Sequence, residues 1–353
     1  MTTAPTTGST DSSATPAPFE IRPSTNPRTF NERAAILSDL KFGTVFTDHM
    51  AHATWTVDEG WHDRRIEAYG PLQLDPAAAV FHYGQEVFEG LKAYAHPDGS
   101  VWSFRPEQNA RRFARSAARL ALPVVSEEDF LTSVRELVHT DVEWVPTTPG
   151  ASLYLRPFMF ASEAFLGVRA AQKVDYLVIA SPVGPYFSRG LTPVDIWVSA
   201  DYTRAAPGGT GAAKCGGNYA ASLLPQASAA ERGFDQILFL DAAGVNLEEL
   251  GGMNVVVIGK DGTGSTPRLT GSILEGVTRS SILTLLAEGG LTVSERDIPL
   301  AELVEGVRSG EIAEVFACGT AAVVTPIRRL AGEGFDLVAG DGESGTVTRA
   351  VHA

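Results

Sequence analysis

The chain is 353 residues long, and 44% hydrophobic against 20% charged residues supply enough apolar material for a folded core. Its net charge of −14 argues against a general binder of nucleic acid or of anionic membranes, because both require a positive field. Only two cysteines are present, Cys215 and Cys318, so a disulfide framework is excluded, and no Cys/His cluster predicts a metal site.

The N-terminus has the composition of a mobile tail. Sixteen of the first 18 residues are Thr, Ser, Ala, Pro or Gly, and we predict a disordered tail over residues 1–28. A basic start followed by an apolar stretch, as in a secretory signal, is not seen, and no apolar run approaches the roughly 20 residues that span a bilayer. We therefore predict a cytoplasmic protein that does not enter a membrane.

The next part of the chain predicts a small α+β domain over residues 29–185. Pro106 near the start and Pro123 at the end delimit a helix over residues 105–122, and Ser126 with three following acids opens a second helix that reaches residue 140. A strand is predicted over residues 152–160.

Three prolines and two glycines within residues 181–193 indicate a connection between domains, which we place at residues 186–195. Beyond it, alternating strand and helix patterns predict a larger α+β domain over residues 196–353.

A lysine among small residues is the most informative local feature. Lys214 is surrounded by five glycines within residues 207–219, and glycine allows close approach to the backbone. A P-loop is excluded because Ala213 and Cys215 replace its Gly and Ser/Thr, and a dinucleotide fingerprint lacks its third glycine. A Schiff-base lysine and a solvated loop lysine both remain open.

Further candidate segments follow in the second domain. Residues 269–279 lead into a helix whose first N–H groups could bind an anion, and residues 317–322 form a turn of small residues. Of the adjacent acids Glu248 and Glu249, we expect one to point inward and interpret Glu248 as a solvated turn acid.

Two groups of residues are interpreted without a ligand. His49 and His52 lie three residues apart on a strand-like segment, which points them to opposite faces and disfavours a shared metal. The interpretation of a solvated helix face covers four arginines: Arg111, Arg112, Arg115 and Arg119.

The candidate segments occur in an order that resembles a known family. Together with the upstream Arg105, the blocks at residues 88–93, 152–157, 214–219 and 319–321 resemble the branched-chain amino-acid aminotransferases over about residues 28–330. These are class IV aminotransferases that carry pyridoxal 5′-phosphate (PLP). The resemblance implies a two-domain α+β fold of type IV, as in D-amino-acid aminotransferase.

The resemblance implies PLP as cofactor and a role for each matching residue. Lys214 would form the Schiff base and carry the proton between substrate Cα and cofactor C4′, while Glu249 would face the pyridine nitrogen and Tyr219 the phenolic oxygen. The phosphate would be held by four residues: Arg105, Val277, Thr278 and Thr320.

The implied reaction is reversible, ping-pong transamination between L-leucine, L-isoleucine or L-valine and 2-oxoglutarate. An apolar pocket would hold the branched side chain between four aromatic residues: Tyr83, Phe88, Tyr186 and Tyr219. The turn of Thr320 and Ala321 would take the α-carboxylate, and Tyr154 and Arg156 the second carboxylate of 2-oxoglutarate. A loop of Leu166, Gly167 and Val168 matches one that the other subunit contributes, which implies a homodimer.

Alternatives and departures from the family pattern remain. A D-amino-acid transaminase or an aminodeoxychorismate-lyase-like enzyme would share Lys214 and Glu249, and a silent PLP-binding protein is a further alternative because of a shortened C-terminus. Gly252 replaces a hydroxyl residue of some members, and Lys92 is interpreted as structural. After residue 337 we expect a shortened C-terminus without the family's further amphipathic helix, and a lower stability as a result.

Overall fold

A computed structural model describes residues 18–184 and 191–353. The strands of the described residues form two sheets, one built before residue 184 and the other after residue 191. Helices pack against each sheet, which confirms the predicted α+β class. No helix in these two ranges is long and apolar enough to cross a bilayer.

The first domain contains one mixed sheet with helices α3 and α4 packed against it. Its strands run in the order β1-β3-β2-β8-β7-β5-β6, and β4 also pairs with β7. In chain order the elements are β1 (Glu20–Ile21), α1 (Phe30–Ser38), β2 (His49–Thr56), β3 (Gly60–Ala68), α2 (Ala79–Tyr83), β4 (Glu86–Phe88), β5 (Leu91–Ala95), β6 (Val101–Ser103), α3 (Pro106–Arg119), α4 (Glu127–Thr140), β7 (Ser152–Ala161) and β8 (Lys173–Val183).

Local sequence signals account for the two long helices of this domain. Pro106 occupies the first turn of α3, where its missing N–H costs nothing. The Ser126 hydroxyl accepts a hydrogen bond from the Asp129 N–H and so caps α4. Phe113 of α3 packs against Phe130 of α4 and against Tyr176 of β8, and all three are fully buried.

The second domain contains another mixed sheet, whose strand order shows how distant parts of the chain meet. The order is β11-β10-β9-β16-β15-β12-β13-β14, with β17 paired to β16. Its elements are β9 (Val194–Ser199), α5 (Gly216–Glu231), β10 (Gln236–Leu240), β11 (Leu247–Leu250), β12 (Asn254–Gly259), β13 (Thr263–Pro267), α6 (Val277–Glu288), β14 (Thr292–Arg296), α7 (Leu300–Ser309), β15 (Ile312–Gly319), β16 (Val323–Gly332), β17 (Phe335–Val338) and α8 (Thr346–His352).

The predicted tail is too long. Phe19 is buried, and β1 pairs in parallel with β3, so that Glu20 lies opposite Arg65. The prediction of disorder is therefore wrong for residues 18–28, because one apolar side chain and a free strand edge order them. Residues 1–17 of that prediction lie outside the described residues.

The C-terminal segment is also more structured than expected. Helix α8 forms within the stretch that we expected to lack a helix, and Val347 and Val351 pack against a buried cluster that includes Ile282, Phe316 and Val324. The expectation that no helix follows residue 337 is thus wrong, while the expected lower stability stays a prediction.

The two histidines of β2 have carboxylate partners of their own. His49 Nδ1 lies 2.6 Å from Asp141, and His52 contacts Glu67 and Asp175. The Asp141 hydrogen bond raises the pKa of the buried His49. These contacts tie β2 to neighbouring elements of the first domain.

Candidate active site

A cavity of about 230 Å³ opens between the two domains. The first domain lines it with residues of β4, the β4–β5 turn, α3 and β7, and the second domain closes it with the start of α5, the β11–β12 turn, the start of α6 and the β15–β16 turn. Among its lining residues are Phe88, Tyr154, Arg156, Lys214, Tyr219, Glu249, Val277, Thr278, Thr320 and Ala321. The site is therefore shared between the domains.

The backbone of Lys214 is held by the first domain. Its N–H donates to Ser116 Oγ of α3 at 2.9 Å, and its carbonyl accepts from the Phe88 N–H at 2.9 Å. The amine Nζ donates to Tyr219 Oη at 2.8 Å and lies 4.9 Å from the Phe88 ring centre. These contacts direct the amine into the cavity.

The surroundings of Lys214 change its acidity. Burial, with the nearby Arg112 guanidinium, lowers the pKa of Lys214 to about 8. A substantial fraction of the amine is therefore neutral close to neutral pH, the form that acts as a nucleophile or a base. Burial also raises the pKa of its partner Tyr219 to about 12, which keeps the phenol protonated.

Glu249 is a buried carboxylate with several donors. The Leu274 N–H donates to its Oε1 at 2.7 Å and Asn254 Nδ2 to its Oε2 at 3.1 Å, while the Arg204 guanidinium forms an ion pair at 2.5 Å. Burial raises the pKa of Glu249 to about 7, although Arg204 and the Leu274 N–H act to lower it. Glu249 can thus carry charge or a proton near neutral pH.

Glu248 does not lie in solvent, and its interpretation as a solvated turn acid is wrong. All four residues of β11 are buried, and the Ser272 hydroxyl donates to Glu248 Oε1. Burial raises the pKa of Glu248. The reason is tertiary: a segment 24 residues further along the chain covers this strand.

Arg112, which we interpreted as part of a solvated helix face, is buried and lines the cavity. Its guanidinium pairs with the fully buried Glu89 through Nε at 2.7 Å and Nη2 at 2.8 Å, and its Nη1 donates to the Glu275 carbonyl. Burial acts to raise the pKa of Glu89, but Arg112 outweighs it and keeps that pKa below its usual value. This pair connects the first domain to the segment before α6.

Arg105 lies beside the first turns of α6. It is not among the residues that line the cavity, and its guanidinium donates to the hydroxyls of Ser280 and Ser281 on the side of α6. Its backbone is left-handed, with φ of 48°, at the N-cap of α3. The arginine facing the cavity from α3 is Arg112, two helical turns further on.

The start of α6 faces the cavity without a side-chain cap. Gly276 occupies the N-cap position and no side chain of the described residues caps the first-turn N–H groups, while Val277 and Thr278 line the cavity. A Cβ on Gly276 would lie 2.1 Å from Asn254 Oδ1, so a side chain cannot be accommodated there. Uncapped N–H groups at a helix start favour an anion.

Tyr154 and Arg156 lie together on β7 at another wall of the cavity. Arg156 Nη2 donates to Tyr154 Oη at 3.0 Å, and the guanidinium carbon lies 4.8 Å from the Phe88 ring centre. Arg156 Nε is buried with no hydrogen-bond partner among the described residues. A Cβ on Gly90 would lie 2.1 Å from Tyr154 Oη, so glycine at that position leaves room for the phenol. An unpaired buried donor beside an aromatic wall suits a ligand with both an acidic and an apolar part.

Tyr83 does not line the cavity of its own chain. It ends α2 at the surface, and its hydroxyl donates to the Leu166 carbonyl. Tyr83 is therefore next to the loop of Leu166, Gly167 and Val168 rather than next to Lys214 of the same chain. Tyr186 lies outside the described residues.

Sequence reasoning missed Arg112, Arg204 and Asn254. A signal existed for Arg112, since Asn109, Arg112, Phe113 and Ser116 share one helical face, all buried. Arg204 reaches Glu249 from a loop before the glycine-rich segment, and no periodic pattern indicated its burial.

The whole arrangement combines a lysine with a lowered pKa, a buried carboxylate and an anion-binding helix start in one cavity. Residues 86–330 match the family described as amino-transferase class IV, and the chain belongs to that family. Within the class, its relatives with curated names include several branched-chain-amino-acid aminotransferases. The enzyme of that name from Mycolicibacterium smegmatis is 52% identical over 341 residues, covering 95% of this chain and 93% of the relative.

Solved structures of the same class share the fold. The branched-chain amino acid aminotransferase of Escherichia coli aligns with a TM-score of 0.69 and 30% identity, over 86% of this chain and 92% of that chain. The branched-chain aminotransferase of Thermoproteus uzoniensis, solved with norvaline, aligns with a TM-score of 0.70 and 25% identity, over 85% of this chain and 92% of that chain. A further branched-chain aminotransferase structure contains pyridoxamine 5′-phosphate and aligns with a TM-score of 0.69 and 26% identity. The predicted type IV aminotransferase fold is confirmed.

Proposed function

We propose that this protein transfers the amino group between L-leucine, L-isoleucine or L-valine and 2-oxoglutarate, with PLP as its cofactor. The observation that carries the proposal is Lys214, with its amine directed into a cavity that also holds Glu249 and the pair of Tyr154 and Arg156. Bound PLP supplies an aldehyde for the amino group and a ring that withdraws electrons from the substrate Cα.

The residues of the cavity fit PLP. A phosphate requires donors, and the uncapped start of α6 at Val277 and Thr278 offers N–H groups beside the buried guanidinium of Arg112. A pyridine nitrogen requires an acidic partner, which Glu249 offers with a pKa of about 7. An aldehyde requires an amine, which Lys214 offers.

We assign the cofactor contacts on this basis. Glu249 holds the pyridine nitrogen, Tyr219 the phenolic oxygen, and Arg105 with Val277, Thr278 and Thr320 the phosphate. Arg112 is added to the phosphate group in this assignment, because it lines the cavity beside the start of α6.

Lys214 also moves the proton in this proposal. Its amine, hydrogen-bonded to Tyr219 Oη, takes the proton from the substrate Cα and carries it to the cofactor C4′. In the second half of the reaction it moves a proton in the opposite direction. Its lowered pKa of about 8 allows both directions near neutral pH, because neither the protonated nor the neutral form is strongly disfavoured.

One pocket serves two kinds of substrate. The Phe88 and Tyr154 rings offer apolar surface to a branched side chain, and the unpaired Nε of Arg156 offers a donor to the second carboxylate of 2-oxoglutarate. The α-carboxylate, common to both substrates, binds at the turn of Thr320 and Ala321.

We further infer a homodimer. Phe81, Tyr83, Leu166 and Val168 are 61%, 43%, 61% and 87% exposed, and the Tyr83 hydroxyl links α2 to the loop. We call these four residues the α2–loop patch. A surface with so many exposed large apolar groups is typical of an interface, and a second copy would bring Tyr83 and the loop to the neighbouring active site. A cytoplasmic location stays a prediction.

The visible absorption spectrum tests the function directly. We expect the purified protein to show a yellow cofactor band that bleaches with L-leucine and returns with 2-oxoglutarate. The Lys214→Ala variant should lose both the protein-bound form of the band and turnover. A band that ignores L-leucine but responds to D-alanine would contradict the proposal in favour of a D-amino-acid transaminase.

A further inference from the structure

Lys92 makes a contact that the proposed chemistry does not use. It lies on β5 of the first domain, and its Nζ donates to the Ala321 carbonyl of the second domain at 2.9 Å. Within the described residues no carboxylate lies within ion-pair distance of this ammonium, and burial alone lowers the pKa of Lys92 to about 8. Lys92 is half-buried, and a cation partly removed from water without an acidic partner is costly, so its retention requires a reason.

The turn that receives this hydrogen bond is strained. Residues 320–322 connect β15 to β16, and Val323, the first residue of β16, has φ of 59°, in the left-handed region that a β-branched residue rarely adopts. Such backbone persists only where surrounding contacts hold it. The Lys92 ammonium supplies one such contact from the opposite domain.

The same turn forms part of the active-site wall. Gly319, Thr320 and Ala321 line the cavity that contains Lys214, while Lys92 lies behind them and lines a neighbouring apolar cavity of about 550 Å³. A displacement of the Ala321 carbonyl would move the peptide units on both sides of this residue. It would therefore change the position of the N–H groups of this turn.

We propose that Lys92 is a positioning residue for the α-carboxylate of both substrates. It acts through the turn: its ammonium holds the Ala321 carbonyl and adds positive charge behind the N–H groups that receive the carboxylate. This inference rests on the proposed function, because it takes the Thr320–Ala321 turn as the α-carboxylate site.

A positioning role for Lys92 differs in its effect from a purely structural link between the domains. L-leucine and 2-oxoglutarate differ in their side chains but share the α-carboxylate, so loss of Lys92 must weaken both. Loss of a purely structural link would instead lower the stability of the protein or its active fraction and leave both KM values unchanged.

The test compares Lys92→Met, Lys92→Arg and the exposed-site control Lys173→Met in the PLP-loaded protein. Loss of one hydrogen bond to a charged group changes an equilibrium constant about tenfold. We therefore expect Lys92→Met to raise KM for both substrates about tenfold. Because the groups at the reacting atoms are unchanged, kcat should remain within about threefold. Lys92→Arg should restore most of the loss and Lys173→Met should match the wild type.

A pair of inhibitors keeps the test independent of folding and of turnover. 4-Methylpentanoate carries the side chain and carboxylate of leucine, and 4-methylpentanamide replaces the carboxylate by a neutral amide. In Lys92→Met, or in Lys92→Gln if the first variant does not fold, we expect the inhibition constant to rise about tenfold for the acid only.

Three results would overturn the inference: unchanged KM values in Lys92→Met, a change for one substrate only, or equal weakening of the acid and the amide. Failure of the proposed function is seen separately, as absence of turnover of L-leucine with 2-oxoglutarate by the wild type.

Discussion

At the scale of single residues, the site depends on charges that are buried in pairs. Lys214, Glu249 and Arg112 lie in one cavity, where Arg204 stabilises the charged form of Glu249 and Glu89 that of Arg112. Removal of one partner would leave the other charge buried and unpaired, which is costly. The chemistry of the site is therefore inseparable from residues that do not contact substrate.

The lowered pKa of Lys214 predicts how the apoprotein takes up PLP. Only the neutral amine attacks an aldehyde, so the rate of uptake should rise with pH and level off above the pKa of about 8. The rise of the cofactor absorption band, followed between about pH 6.5 and 10, measures this rate. N-α-acetyl-lysine amide, with an ordinary amine pKa of about 10.4, serves as the control. If the rate of uptake by the protein reached half of its maximum at a pH near that of the control, burial would not lower the pKa of Lys214.

At the scale of elements, the end of α3 is a Schellman motif with an unfavourable residue. The Leu122 N–H donates to the Ala117 carbonyl at 2.9 Å and the Ala121 N–H to that of Ala118 at 3.2 Å, while Ala121 has φ of 53°. Alanine is strained in this left-handed position, which glycine adopts without cost from a Cβ.

Ala121→Gly should therefore stabilise the protein, against the usual effect of glycine. We expect the free energy of unfolding to rise by about 0.5–1 kcal/mol, since relief of strain exceeds the added entropy of the unfolded chain. Ala118→Gly, an exposed position inside the same helix, should lower it by about 1 kcal/mol. Urea unfolding measures the free energy of unfolding of both variants. A lower stability of Ala121→Gly would show that the left-handed backbone of Ala121 is not strained.

At the scale of the whole molecule, the cavity is formed by two domains and the α2–loop patch lies on the first of them. Arg112 and Lys92 both reach from the first domain to carbonyls of the second, those of Glu275 and Ala321. These contacts fix how the cofactor side and the substrate side of the cavity face each other. In the proposed dimer, the α2–loop patch of one chain lies at the active site of the other.

Val168→Asp should separate the proposed dimer. Val168 is 87% exposed in the single chain, so the substitution should leave the fold intact while placing a charge in the interface. Size-exclusion chromatography with light scattering is expected to show a dimer for the wild type and a monomer for the variant, with lower activity. Val338→Asp, at an exposed position of β17, is the matched control and should remain dimeric. A dimeric Val168→Asp variant would place the interface elsewhere.

Features that depend on neighbours along the chain were predictable from the sequence. Pro106 and Ser126 mark the starts of α3 and α4 because helix ends are satisfied locally. The glycine-rich surroundings of Lys214 and the blocks of the family pattern were sufficient to predict the fold type and the enzyme class, which the comparisons confirm.

Features that depend on what packs across from a residue were decided only by the tertiary structure. Arg112 faces the cavity, Glu248 is covered by Ser272, and Tyr83 lies at the surface beside Leu166. Each partner comes from a distant part of the chain, and a local pattern contains no information about it. The sequence by itself thus determined the class and the central lysine, whereas burial and contacts between domains decided which charged residues share its cavity, because the cost of a buried charge depends on partners that only the folded chain brings together.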